Sequence, residues 1–237
     1  MIDVRRLGLV SYTDGLELQR ALVDDRKAGR IPDTLLLLQH PHVLTIGVKK
    51  DGRQHILAAP DLLSARGVEV FETGRGGDVT YHGPGQLVGY PIIDLNPDRR
   101  DVHKYVRDLE TVMIGVCADY GLTADRVKGF SGAWIRSTRD ARSGQVGDAK
   151  IGAIGVRISR WVTSHGFAFN VTTDLDFFNL IVPCGIADKA VTSLASQLGR
   201  PVPMAEVEDA FIRHFSAVFA RKGVGDLFPD TPPNPAT

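Results

Sequence analysis

The chain has 237 residues, 43% hydrophobic and 24% charged, with 28 acidic side chains balancing 28 Lys and Arg. That length and mix suit one soluble globular domain with a proper core, and the balanced charge gives no reason to expect a nucleic-acid partner. No run approaches the roughly 18 apolar residues of a membrane span, and Met1 to Arg6 lacks a signal-peptide apolar core, so the expectation is no membrane and a cytoplasmic location.

In chain order, the periodicity predicts a helix over Asp14–Ala28, then strands over Thr34–Leu38, Val43–Ile46, Val68–Glu72 and Leu87–Ile93. From Asp101, the residues Val102, Tyr105, Val106, Leu109, Met113, Val116, Cys117 and Tyr120 recur at helical spacing, and Gly121 supplies a stop. Strands follow at Ala133–Ile135, Ile151–Ile158 and Val162–Val171, the last two reading as a hairpin with Ser159-Arg160 at its turn. A final helix is predicted from Pro203 to Lys222, with Val207, Phe211, Phe215, Val218 and Phe219 buried and Gly223 as its stop. Residues 137–149 are polar and aperiodic and read as a loop. Strands come in neighbouring groups rather than strict βαβ repeats, which predicts an α+β fold with a mixed, largely antiparallel sheet packed by helices. A single domain over 1–228 is expected, with a Pro-rich tail at 229–237 that cannot support a core.

The chemistry concentrates in a few places. Cys184 stands in Pro183-Cys184-Gly185, after an apolar run, whereas Cys117 lies in a helical stripe as a packing residue. Two cysteines so differently placed do not suggest a structural disulfide, and a free thiol on a turn is a candidate nucleophile. Buried free cysteine is common enough that Cys184 alone does not decide the matter. Arg75-Gly-Gly-Asp-Val-Thr-Tyr-His-Gly-Pro-Gly-Gln86 is the densest stretch of permissive backbone and also carries Arg75, Tyr81, His82 and Gln86. It matches neither a phosphate-binding loop nor a dinucleotide fingerprint. Either it is a glycine-rich turn or it brings backbone close to a ligand. Lys150 opens a strand with interior glycines Gly152 and Gly155. It is a solvated flank or the cation that favours a Cys184 thiolate, with His165 and His82 as rival activators. His40 and His42 have no third ligand at convincing spacing, so no metal is assigned and no cofactor is expected.

Together, the block Arg75–Gln86, Lys150-Ile-Gly-Ala-Ile-Gly-Val-Arg-Ile158, His165-Gly-Phe-Ala-Phe-Asn170 and Pro183-Cys-Gly-Ile186 resemble, in order, the signature blocks of the lipoyl(octanoyl) transferase family of lipoate biosynthesis. The resemblance covers about residues 30 to 200. It implies the α+β catalytic module of biotin and lipoate protein ligases, and transfer of an octanoyl group from octanoyl-acyl carrier protein to a lysine of lipoyl domains. The acceptors implied are those of 2-oxoacid dehydrogenase complexes and the glycine cleavage H protein. Carried over by matching blocks, Cys184 is the acyl-thioester nucleophile and Lys150 its activating lysine. Arg75, Gly76, Gly77, Asp78, Val79, Thr80, Tyr81, His82, Ala153, Ile154, Gly155, Gly166, Phe167 and Ala168 become the acyl-substrate contacts, and His165 is a possible accessory group for the amine proton. The loop before Lys150 is longer than is common in the family. The alternative is an ATP-dependent lipoate-protein ligase, which needs no thiol.

Overall fold

In the computed structural model, which describes residues 2–139, 146–182 and 190–220, the chain opens with β1 (Asp3–Leu9) and α1 (Tyr12–Lys27). β2 (Thr34–Gln39), β3 (Val43–Ile46), α2 (Pro60–Ala65), β4 (Glu69–Glu72), β5 (Val79–His82) and β6 (Gln86–Ile92) follow. Then come α3 (Val102–Asp119), β7 (Ala124–Val127), β8 (Phe130–Arg139), β9 (Val146–Ser159) and β10 (Val162–Asn170). β11 (Ala190–Val191), α4 (Leu194–Leu198) and α5 (Met204–Phe219) complete the described chain.

The main sheet runs β1-β2-β6-β10-β9-β8-β7, with β11 beside β9, and a second sheet runs β4-β3-β5. Among the described residues of the main sheet only the β1–β2 and β9–β11 pairs are parallel, so the predicted mixed, largely antiparallel sheet is what forms. The run of leucines in β2 is apolar on both faces because both faces are covered. Leu35 and Leu37 join a core under α3 and α5 with Ile151, Phe167, Phe169, Met113 and Phe211, while Leu36 and Leu38 meet Leu22 and Val23 of α1 on the other side. Phe211 is fully buried with its ring stacked 4.9 Å from Phe167, and truncating such a residue to alanine costs about 3–5 kcal/mol. The second sheet has its own core of Leu44, Val79, Tyr81 and Phe178.

Local chemistry sets the ends. Asp101 caps α3 by accepting from the Lys104 N–H, and Gly121 follows with φ of 72°, the left-handed stop its sequence suggested. Pro203 precedes α5, whose predicted C-terminal stop lies outside the described residues.

Two expectations are corrected. The β9–β10 turn is Arg160-Trp161 rather than Ser159-Arg160: Ser159 pairs with Val162, and φ values of 51° and 66° place both turn residues in the left-handed region of a type I′ turn. The supposed loop over 137–149 is largely strand, since β8 continues to Arg139 and β9 begins at Val146, with Thr138 opposite Gly147. Backbone pairing carries the ribbon through this polar stretch despite its lack of hydrophobic period. Residues 140–145 lie outside the described chain, as does the tail at 229–237. β1, α2, β5, β7, β11 and α4 were not legible from pattern.

Candidate active site

β9 and β10 form the floor of a cleft, and the glycine-rich block leading into β5 forms its roof. Across the hairpin Ala153 faces Ala168, and Gly155 faces Gly166, small pairs that leave room above the sheet. The roof is tied down where Gly76 N donates to Val156 O at 2.9 Å. A Cβ on Gly155 would stand 2.9 Å from Gly76 O, so only glycine fits this crossing.

A β-bulge aims Lys150. On β8, neighbouring Ala133 and Trp134 face Gly152 and Lys150, which leaves Ile151 as an extra residue in β9. Ile151 points into the core beneath α3 and α5, and a Cβ on Gly152 would touch Met113 of the same core. With unbroken alternation Lys150 would share that face with Gly152; the bulge turns it to the cleft instead. Its ammonium rests 4.6 Å from the centre of the Trp134 ring.

The cleft encloses about 640 Å³ of space open to solvent, within the usual range for small-molecule sites. Of the predicted contacts, Arg75, Gly77, Asp78, Val79, Thr80, His82, Lys150, Ala153, Ile154, Gly155, His165, Gly166, Phe167 and Ala168 border it. Gly76 and Tyr81 do not. Gly76 is spent on its bond to Val156, and Tyr81 is fully buried in the second sheet's core, hydrogen-bonded to His42 and stacked on Phe177. Alternation along β5 sends Tyr81 away from the side that His82 faces. Cys184 lies outside the described residues. Sequence reasoning missed Tyr12, Tyr90 and Ser131, which also line the cleft.

Arg75 is buried, and its guanidinium donates to the carbonyl and hydroxyl of Thr45 and to Gly76 O. Asp78 accepts from His55 Nδ1 at 2.8 Å, Lys49 Nζ at 3.0 Å and Val79 N at 2.7 Å. Burial works against its charge, but those hydrogen bonds prevail and hold its carboxyl below the ordinary range. Asp78 thereby fastens the glycine-rich block to the segment at 49–55.

The remaining polar groups are uncharged. Burial lowers His40 to about 4, His82 to about 3 and His165 to about 4. His40 Nδ1 donates to Val10 O, so its Nε2 accepts from the Tyr90 hydroxyl at 2.7 Å. His82 Nδ1 donates to Gln86 Oε1; Gln86 Nε2 donates to Asn170 Oδ1, and Asn170 Nδ2 donates to Thr192 O. Thr192 N in turn donates to Lys150 O, while Val191 pairs with Lys150. Upstream, Val182 N donates to His55 O. Cys117, by contrast, is sealed in the core, with burial pushing its thiol up to about 12. Such a cleft, glycine-floored and neutral except for Arg75, Asp78 and Lys150, suits an uncharged chain ending at a group the ammonium can serve.

Comparison with known proteins agrees with this geometry. The family described as the lipoyl protein ligase A/B catalytic domain matches residues 11–216. An octanoyltransferase from Myxococcus xanthus is 51% identical over 98% of this chain, which spans 62% of that relative's length. One from Koribacter versatilis is 49% identical over 100% of this chain and 93% of its own. Among solved structures, a bi-partite lipoate protein ligase from Thermoplasma acidophilum shares the fold with a TM-score of 0.66 at 19% identity, over 92% of this chain and 84% of that one. A match across most of the sequence shows that the chain belongs to the octanoyltransferase family of acyltransferases, within the lipoyl protein ligase A/B catalytic-domain group.

Proposed function

We propose that the protein moves an octanoyl group from octanoyl-acyl carrier protein to a lysine of lipoyl domains, in 2-oxoacid dehydrogenase complexes and the glycine cleavage H protein, as a cytoplasmic step of lipoate synthesis. Cys184 thiolate attacks the donor thioester carbonyl, and the carrier thiolate leaves with a proton from the Lys150 ammonium, which becomes a neutral amine. The lipoyl-domain amine then attacks the Cys184 thioester, Lys150 takes the amine proton, and the thiolate is restored. The acyl chain lies along the Ala153–Gly155 and Gly166–Ala168 floor, where burying each methylene is worth about 0.8 kcal/mol.

The observation that carries the reading is the placement of Lys150. A bulge turns it into the cleft, and the described chain on both sides of residues 183–189 is fastened close by, through Val191 to Lys150 and through Val182 to His55 beside Asp78. Intact-mass analysis after mixing with octanoyl-acyl carrier protein tests it. One octanoyl group should appear on Cys184 and none on Cys117, with no ATP or metal ion added. Cys184→Ala should lose the adduct and turnover together. Strict ATP dependence with an octanoyl-adenylate would instead assign a ligase.

A further inference from the structure

His165 stands where two cavities meet. It closes the acyl cleft at the end away from Lys150, and it also lines a second groove, about 980 Å³ open to solvent, whose walls carry Leu16 and Val23 of α1 but also the charged Arg20, Asp24, Lys27 and Arg157. The two spaces are consecutive on one face of the hairpin. Beyond the Gly155–Gly166 pair, the next same-face pair is Arg157–Ser164, about 7 Å further along the strand. Between the small floor and this groove, His165 is the partition.

Its backbone is held in an unusual state. Arg160 and Trp161 have positive φ because a type I′ turn needs it, but His165 has φ of 53° in mid-strand, still paired with Val156. An imidazole-bearing residue adopts the left-handed region there at a cost, and something must hold it. Gln19 does so. Its Oε1 accepts from His165 N at 2.7 Å, while its Nε2 is buried with no hydrogen-bond partner among the described residues. The amide is sacrificed to fix the backbone at 165. The ring packs edge-on to Tyr90, 6.3 Å between centres, with Tyr90 itself anchored on His40.

Lys150 and Val156, the partner of His165, are six residues apart on β9, up to about 20 Å at the rise of a strand. The imidazole is therefore distant from the reacting end and faces the tail of a bound chain. We propose that His165, held by Gln19 as its positioning residue, is the end wall that limits the acyl group to medium length, and that the groove behind it is space withheld from longer chains. The inference rests on the acyl-transfer reading.

The test compares octanoyl-, decanoyl- and dodecanoyl-acyl carrier protein as donors for wild type, His165→Gly and Gln19→Leu, reading kcat/KM and the acyl adduct by intact mass. Glycine accepts φ of 53° without strain, so His165→Gly should fold, which thermal unfolding checks. Each further methylene covered by Leu16 or Val23 is worth roughly fourfold in binding, and those laid against the charged wall gain little. His165→Gly should therefore raise the dodecanoyl-to-octanoyl ratio by at least about tenfold, and Gln19→Leu should move it in the same direction by less. A wild type that uses octanoyl beside a folded His165→Gly whose profile is unmoved overturns the wall alone. A wild type that takes no acyl group from any donor overturns the acyl-transfer reading and the wall with it.

Discussion

Trp134 and Lys150 are cross-strand partners, and the Lys150 ammonium lies 4.6 Å from the centre of the Trp134 ring. The aromatic face favours the cation by about 0.5–2 kcal/mol and restricts where it can point. Trp134→Phe keeps a ring and should keep most turnover, whereas Trp134→Leu should slow it several-fold or more, part of it through lost packing. Lys150→Ala should lose about 10²–10⁴ in turnover and slow alkylation of Cys184 at neutral pH. Lys150→Arg keeps the charge, so alkylation should persist while transfer to the lipoyl lysine fails for want of a proton acceptor. Parallel measurements of iodoacetamide labelling and turnover separate the two roles. Normal turnover in Lys150→Ala would return the residue to a solvated flank.

Asp78 fastens three elements through His55, Lys49 and its own neighbour's N–H. Because its folded carboxyl is held below the ordinary value, the stability it gives is complete above about pH 4 and is lost as pH falls through the lower folded value. Asp78→Asn should cost about 1–3 kcal/mol at pH 7 and flatten the acid limb of the unfolding curve. Denaturant titrations of both proteins from pH 7 to pH 3 give the comparison; parallel curves would mean that Asp78 contributes no titrating charge.

The histidines act with the same sign of pH dependence for a different reason. His40, His82 and His165 are neutral in the fold down to about 4, 3 and 4, whereas unfolded histidine protonates near 6.5. Their stability is therefore full above pH 6.5 and declines as pH falls from there towards those values, each group contributing up to about 1.4 kcal/mol per pH unit. Replacing His40 by Gln should make the fall between pH 6 and pH 4.5 shallower while loosening Tyr90. An unchanged slope, measured by thermal unfolding across that range, would place the imidazole's charge outside the balance.

Much of this was legible in the sequence where period and burial agree. α3 and α5 display their stripes openly, and the β2 leucines announce a strand covered on both faces. What escaped did so for physical reasons. β5 was hidden because four residues beside glycines carry no period, so Tyr81 read as a ligand contact until its alternation could be seen. The bulge at Ile151 leaves no sequence mark, yet it decides that Lys150 faces the cleft. Arg160 and Trp161 are not the usual residues of a type I′ turn, which is why the turn read one residue early. Arg160→Asn should accordingly raise stability by several tenths of a kcal/mol up to about 1 kcal/mol, visible as a higher Tm. Tyr12, Tyr90 and Ser131 come from elements remote in sequence, and only the fold assembles them.

Asn170 is where the polar interior reaches the strand that carries Lys150. It accepts from Gln86, which holds the His82 tautomer, and donates to Thr192 O, the residue whose N–H is bonded to Lys150 O. Asn170→Asp preserves size and the acceptor for Gln86 but puts a carboxylate against the Thr192 carbonyl, so it should lose the anchor and add a buried charge. Asn170→Ala leaves Gln86 and Thr192 unsatisfied, at about 1–3 kcal/mol each. If the chain's role is to hold the segment after Cys184 against β9, both variants should lose kcat by about tenfold or more, by analogy with other misplacements of reacting groups. KM for the lipoyl domain should move less. Equal losses in kcat and in folded fraction, with normal turnover per folded molecule, would reduce Asn170 to a packing residue.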